Sequence, residues 1–171
     1  MRSRRSYFLL ISIFLLTFTT SLQAKEDIAL ILSLDKEEYK KNDPITLDLK
    51  LKNNGPDPVY VNTRFYVNSE KSDPKYREVY LMVTSPSGER LEYNRKDYEC
   101  GFPKSDYFQP LKPGEEIEMK HSKSLKSYFK IEDIGEYKIQ AVYHNSYGQE
   151  IELDTFQDKV TSNQVTINII E

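Results

Sequence analysis

The sequence predicts an all-β fold, a two-sheet antiparallel sandwich of seven or eight strands. Tyr, Ile, Val, Thr and Phe, the residues that strands favour, are frequent, and no ten-residue window repeats its apolar side chains with a period of 3.6. Short alternating segments are separated by turn signals rich in Gly, Pro and Asn. Strands in succession without helices are typical of two packed sheets.

The strands follow from alternation and from the turns that bound them. Ile28–Leu34 is apolar enough to be covered on both faces, and residues 35–44 read as a charged connection. Residues 45–52 alternate apolar and polar side chains over eight positions, the pattern of a half-buried strand. Further strands are predicted at 59–67, 79–84, 90–93, 116–120, 137–143 and 165–169, with turns at 53–58, 85–88 and 113–114. Leu125, Tyr128, Phe129 and Ile131 are predicted to cover the sandwich mouth, and Ile151, Leu153 and Phe156 to add a small hairpin.

The segment Asp133-x-Gly135-x-Tyr137 defines the type of sandwich. A Tyr just inside a strand, after an Asp-x-Gly turn, is the sequence form of the tyrosine corner of immunoglobulin-like sandwiches. Antibody domains carry a Cys two residues after that Tyr, whereas this chain has Ile139, and its single Cys, Cys100, cannot form an intrachain disulfide. The predicted fold is therefore an immunoglobulin-like sandwich without an inter-sheet disulfide.

Residues 1–24 are predicted to be a signal peptide. Arg2, Arg4 and Arg5 precede an apolar run over 7–18, and Ala24 suits the last position before cleavage. An uncleaved anchor is the alternative, although the run is shorter than the ~20 residues of a spanning helix. Residues 25–171 then form one domain, secreted or periplasmic, with no stable membrane insertion after cleavage.

The charge balance disfavours two classes of partner. The chain carries 24 Lys and Arg against 27 Asp and Glu, and loss of the three leader arginines changes its net charge from −3 to −6. An acidic domain without a basic run repels phosphate backbones and anionic lipid. We therefore expect no nucleic-acid partner.

Catalytic and cofactor signals are weak throughout. The two histidines, His121 and His144, have no paired metal-ligand spacing, and neither a Gly-x-Ser-x-Gly elbow nor a Gly-rich phosphate loop is present. Glu150, Glu152 and Asp154 alternate with apolar residues, so on a strand they would share one face. They would then hold Ca²⁺ or form a solvated outer face, the second being favoured. We expect no enzyme activity, no cofactor and no metal.

The loop at 94–111 is the predicted binding site. The sixteen residues 93–108 contain five aromatic side chains without strand alternation. Loops on a rigid sandwich commonly carry binding, and Tyr offers contact area at low entropic cost. The candidate binding residues are Tyr98, Phe102, Tyr107 and Phe108. The alternative is that Phe102, Tyr107 and Phe108 tuck under the loop as a small core of its own. Cys100 is either a buried small hydrophobe or an exposed thiol able to form an intermolecular disulfide.

Several short motifs carry a resemblance to known modules. They are Tyr39 with Ile45-x-Leu47, Asn53-Asn54-Gly55, Pro86-Ser87-Gly88, Leu111-Lys112-Pro113-Gly114-Glu115 and Gly135-x-Tyr137-x-Ile139-x-Ala141. In this layout the chain resembles bacterial exported immunoglobulin-like modules, and it is similar to BsuPI-type proteinase inhibitors and macroglobulin-like domains. We expect an exported, non-catalytic binding or structural module that recognises a protein or envelope component. The resemblance implies an extracellular proteinase inhibitor as the alternative.

Overall fold

The computed structural model describes residues 27–96, 101–120 and 123–171. Within these ranges the chain forms ten strands, four single-turn 3-10 helices and no α-helix. The strands are β1 (Ile28–Leu34), β2 (Glu38–Lys40), β3 (Leu47–Asn53), β4 (Val59–Asn62), β5 (Val79–Thr84), β6 (Phe108–Leu111), β7 (Glu116–Lys120), β8 (Gly135–His144), β9 (Lys159–Thr161) and β10 (Val165–Ile170). The 3-10 helices are Pro74–Tyr76, Ser105–Tyr107, Leu125–Ser127 and Gln149–Ile151. The predicted leader, Tyr98, Cys100 and His121 lie outside the described residues.

The strands form two main sheets and one short pair. One sheet has the order β1-β3-β7, and the other has the order β2-β10-β8-β5 with β9 also paired to β8. The third sheet is the two-stranded pair β4-β6. Strand β1 packs across the sandwich against β8, β9 and β10. Nine strands pair antiparallel, and only β2 runs parallel to its neighbour, β10. The predicted all-β two-sheet sandwich is confirmed.

One hydrophobic core fills the space between the sheets. It takes every second residue of the facing strands, because successive side chains of a strand point to opposite faces. On β3 the buried residues Leu47, Leu49 and Leu51 alternate with half-exposed charged residues, as the sequence pattern predicts. On the outer face Lys50 and Lys52 pair with Glu116 of β7 at 2.9 and 3.3 Å.

The predicted tyrosine corner is present. The Tyr137 hydroxyl donates to the Asp133 carbonyl oxygen at 3.1 Å and accepts from the Asp133 backbone N–H at 3.0 Å. Gly135, between them, has a φ of +128°, a conformation that residues with a Cβ rarely adopt. Its backbone also lies close to the Pro86 ring, which a Cβ would approach to 3.1 Å. The corner therefore depends on both the Tyr and the Gly of the motif.

Two predicted strands differ in the structure. Strand β1 is buried on one face only, with Ile31 exposed, because one face packs against β8, β9 and β10 and nothing in the described chain covers the other. The strand predicted at 59–67 stops at Asn62, whose side-chain oxygen accepts from the Arg64 N–H at 3.0 Å. Phe65 follows with a φ of +49°, so the chain turns where alternation predicted a continuing strand.

The connecting regions follow the sequence predictions to different degrees. Strand β2 lies within the predicted charged connection and buries Tyr39, and residues 90–93 make only single bridges, one of them from Arg90 to Thr84. The hairpin predicted from Ile151, Leu153 and Phe156 does not form, since Gln149–Ile151 is a 3-10 helix and β9 pairs with β8 instead.

The turn at 113–114 has the left-handed φ of +81° at Gly114 that a type II turn requires. The four residues predicted to cover the sandwich mouth are buried: Leu125, Tyr128, Phe129 and Ile131.

Candidate binding surface at the 101–108 loop

The structure separates the predicted binding residues into exposed and buried ones. Phe102 is 76% exposed and Tyr107 is 40% exposed. Phe108 is only 6% exposed, because it begins β6 and turns inward beside β4. Phe108 therefore packs under the loop, whereas Phe102 and Tyr107 remain available for contact. Tyr98 lies outside the described residues, and the binding role of the four residues stays a prediction.

Phe102 is exposed on a backbone that is held in place. The Gly101 carbonyl oxygen accepts a hydrogen bond from Nη1 of Arg64 at 2.7 Å. Pro103 follows Phe102, and a residue before proline is restricted to extended conformations. The Phe102 ring meets the Tyr147 ring edge to face, with 5.8 Å between centroids and an interplanar angle of 69°. The side chain thus projects into solvent from a fixed position.

The other end of the loop is attached to the same segment. The Tyr107 carbonyl oxygen accepts from the backbone N–H of Thr63 at 2.7 Å and from its hydroxyl at 2.8 Å. The Tyr107 N–H donates to the Lys104 carbonyl at 3.0 Å, which closes a 3-10 turn. Residues 101 and 107 are therefore both bound to neighbouring residues of one chain segment, Thr63 and Arg64.

Arg64 makes these contacts from a buried ion pair with Glu78. The two side chains are only 4% and 1% exposed, respectively. Nε and Nη2 of Arg64 both donate to Oε1 of Glu78, the first at 2.9 Å. Oε2 of Glu78 accepts from the Tyr66 N–H at 2.9 Å, and Asn62 Nδ2 donates to Oε1 at 3.1 Å. Both carboxylate oxygens are therefore satisfied, as burial of a charge requires.

A second set of buried polar groups continues from this pair toward β8. The Tyr143 hydroxyl accepts from the Asn62 N–H at 2.9 Å and donates to the Asn62 carbonyl at 3.2 Å. Burial raises the pKa of the Tyr143 phenol well above its ordinary value, so the group stays a donor. The Asn145 side chain donates to the carbonyls of Tyr147 and Phe156 at 2.7 and 3.1 Å. The loop after β8 is thus attached to the same group of buried polar side chains.

Aromatic rings flank the Arg64 guanidinium. Its carbon lies 5.0 Å from the Tyr66 ring centroid and 5.9 Å from that of Tyr147. Phe65, between Arg64 and Tyr66, points inward and its ring lies 5.8 Å from the Tyr143 ring. Tyr66 is exposed, as are Phe102 and Tyr107. These three exposed aromatic residues, Tyr66, Phe102 and Tyr107, are called the Phe102 surface below.

Sequence reasoning missed Arg64, Glu78, Tyr66 and Tyr147. Arg64 and Tyr66 fall within the strand predicted at 59–67, and Glu78 directly precedes the strand predicted at 79–84. The contacts among Arg64, Glu78 and Gly101 join residues 14 and 37 positions apart, beyond the reach of turn and alternation patterns. The only local signal was the apolar segment that follows Glu78 directly, which places that carboxylate at the start of a buried strand.

The proposed carboxylate face at 150–154 does not form. Gln149–Ile151 is a 3-10 helix and Glu152 has a φ of +56°, so the strand alternation that would align the acids is absent. Within the described ranges, no three His, Cys, Asp or Glu side chains lie close enough to hold a metal ion together. The calcium hypothesis was therefore wrong in its geometric premise. His144 lies on β8, where burial, Lys159 and Arg77 lower its pKa.

Comparison with known proteins finds no matching family model and no matching curated protein. Among solved structures, the chain is similar to a CARDB domain from Pyrococcus furiosus crystallised in complex with di-metal ions. Identity is 11%, the TM-score is 0.36, and the match covers 84% of this chain and 88% of that one. For the solution NMR structure of a CARDB domain from that organism the values are 12%, 0.37, 84% and 94%.

CARDB domains are immunoglobulin-like β-sandwiches, the class described above for this chain. At such identities and TM-scores the likeness carries no argument about this chain. The similarity to BsuPI-type inhibitors and macroglobulin-like domains is not confirmed. No helix in the described part of the chain is both long enough and apolar enough to cross a membrane.

Proposed function

We propose that this chain is an exported, non-catalytic immunoglobulin-like module that recognises a protein or envelope component through the Phe102 surface. The observation that carries the proposal is the exposure of Phe102 on a loop whose two ends are bound to Thr63 and Arg64. A rigid, exposed aromatic side chain loses little conformational entropy on binding, so most of its apolar burial contributes to affinity. Tyr107, on the same loop, and Tyr66, whose ring lies against Arg64, are also exposed and belong to the proposed surface.

Charge and shape support a protein or envelope component over other partners. A net charge of −3, or −6 without the predicted leader, disfavours nucleic acid and anionic lipid. The chain has no Trp, and Phe102 already uses part of its ring against Tyr147, so a flat stacking platform for sugars is poorly provided. The proteinase-inhibitor alternative has no structural observation in its favour, and we do not propose it.

The proposal is tested by substituting the exposed aromatic residue. The immobilised wild-type domain, Phe102→Ala and Ile134→Ala are compared for binding of solubilised envelope and of culture medium from the exporting organism. Ile134 is the matched control, since it is also exposed but lies just before β8, whose ten residues span roughly 30 Å and end before Tyr147. An aromatic hot spot worth about 2 kcal/mol predicts a loss of affinity of roughly 30-fold for Phe102→Ala only.

The free energy of unfolding of both variants is expected to lie within about 0.5 kcal/mol of the wild-type value, since both positions are exposed. Retention of full binding by Phe102→Ala would refute the proposal. Equal losses in the two variants would refute it as well, because the effect would then have no relation to the loop.

A further inference from the structure

The Arg64–Glu78 pair is an inefficient way to stabilise a fold. Both side chains are almost fully buried, and desolvation offsets much of the attraction between two buried charges. Apolar residues of similar volume commonly give equal or greater stability at such sites. What an apolar pair cannot provide is a set of directional hydrogen bonds.

The hydrogen bonds of Arg64 connect Glu78 to the loop that carries Phe102. Two nitrogens of Arg64, Nε and Nη2, donate to Glu78, while Nη1 donates to the Gly101 carbonyl, directly before Phe102. A guanidinium is planar, so fixing two of its nitrogens on a carboxylate also fixes the direction of the third. Glu78 is itself fixed by Asn62 and by the Tyr66 N–H. The Arg64 guanidinium, held in the core by Glu78, therefore fixes the position of the Gly101 carbonyl in the loop.

The backbone at Phe65 supports the same conclusion independently. Its φ of +49° is uncommon for a residue with a bulky side chain, and such strain persists where the surrounding structure enforces it. The turn places Arg64 and Tyr66 against each other, with the guanidinium carbon 5.0 Å from the ring centroid. The strained residue thus lies between the group that holds Gly101 and a member of the Phe102 surface.

We propose that Arg64 and Glu78 are positioning residues that hold Gly101 and Phe102 in the conformation used for binding. This inference rests on the proposed function of the Phe102 surface. Arg64 and Glu78 are buried and act through the loop backbone, so they do not themselves form the surface that a partner meets.

Arg64→Lys separates positioning from charge pairing. A lysine ammonium retains a positive charge beside Glu78, but it is a point charge without the planar fork that reaches Gly101. The matched control is Arg77→Lys, the same change at another buried arginine, which donates to the carbonyls of Ser72 and Glu70 in a different loop. If Arg64→Lys does not fold, the double variant Arg64→Met/Glu78→Gln replaces it, because it removes both charges and the Gly101 bond together.

The measurement is the ¹⁵N backbone order parameter at Gly101, Phe102 and Lys104 in the full domain without a partner. We expect a value of about 0.85 in the wild type and in Arg77→Lys, and a value below about 0.6 in Arg64→Lys. Unchanged order parameters in Arg64→Lys, or an equal fall in Arg77→Lys, would overturn the assignment.

Binding of the envelope and medium fractions is then measured on the same samples, with Phe102→Ala included. Phe102→Ala should keep the order parameters of Gly101 and Lys104 yet lose binding roughly 30-fold, whereas Arg64→Lys should lose both. Normal binding by Phe102→Ala would reject the proposed function and leave the order-parameter result to decide the positioning role separately.

Discussion

Replacing Tyr137 by Phe removes one hydroxyl from the tyrosine corner and little else. That hydroxyl makes two hydrogen bonds, one to the carbonyl and one from the N–H of Asp133, at 3.1 and 3.0 Å. Burial raises the pKa of the Tyr137 phenol, which keeps the group protonated and able to donate at neutral pH. The ring is almost fully buried and stays in place in the variant, so no cavity term larger than one oxygen atom is expected.

The expected cost follows from the two bonds. Each hydrogen bond of this kind contributes a net ~1 kcal/mol, and more where the partner is left buried without a replacement. The Asp133 backbone lies at an exposed turn, where water can satisfy part of its bonding capacity. We therefore expect Tyr137→Phe to lower the free energy of unfolding by about 1–2 kcal/mol, which corresponds to a fall in Tm of about 3–8 °C.

Urea unfolding followed by circular dichroism measures this change, with Tyr80→Phe as the control. Tyr80 is also buried, but no hydrogen bond to its hydroxyl is formed among the described residues, so its loss should cost under ~0.5 kcal/mol. A change below ~0.5 kcal/mol for Tyr137→Phe would show that Tyr137 acts only as a core ring. An equal cost at both positions would show that the two bonds to Asp133 contribute nothing specific.

Two further predictions concern backbone strain and pH. Gly135→Ala should lower the free energy of unfolding, measured by urea titration, by about 1–3 kcal/mol. The φ of +128° is strained for a residue with a Cβ, and that Cβ would lie 3.1 Å from Pro86. An unchanged free energy of unfolding would contradict the strain argument. The pKa of His144 is lowered by burial, Lys159 and Arg77, so the unfolded chain binds its proton more readily. Stability should fall as pH drops below about 6.5, and His144→Gln should reduce that fall in urea titrations at pH 7.5 and 5.5; an identical fall would exclude His144 as the cause.

Local patterns predicted the parts of the fold that depend on neighbouring residues. The corner was predictable because Asp133 and Tyr137 are only four positions apart and the Gly between them has one conformational role. Strand β3 was predictable because its alternation matches a sheet with one covered face. Strand β1 shows the limit of the approach, since apolar composition alone cannot reveal that a strand lies at an edge with its outer face uncovered.

The candidate site was predictable only as a region. Aromatic content located the loop, and Phe102 and Tyr107 are exposed there, but Phe108 belongs to β6 and is buried. Alternation extended β4 through residue 67 because it cannot anticipate that a buried Asn62 amide would bind the Arg64 N–H and end the strand. The ion pair of Arg64 with Glu78 joins residues 14 positions apart. Local sequence patterns therefore could not predict the contact that we propose orders the loop.

Strand β8 explains how a stable scaffold and an ordered loop coexist in one small sandwich. Tyr137 and Tyr143 lie on the same face of β8, and each binds both the N–H and the carbonyl of one residue in another segment, Asp133 or Asn62. The two tyrosines are six positions apart, roughly 20 Å along the strand, so their contributions to stability should be nearly independent. The first phenol fixes the corner, while the second fixes the residue from which the turn to Arg64 begins. Substitutions at the corner should therefore lower global stability and leave the order of the loop unchanged, whereas those at Arg64 should lower the order of the loop as well.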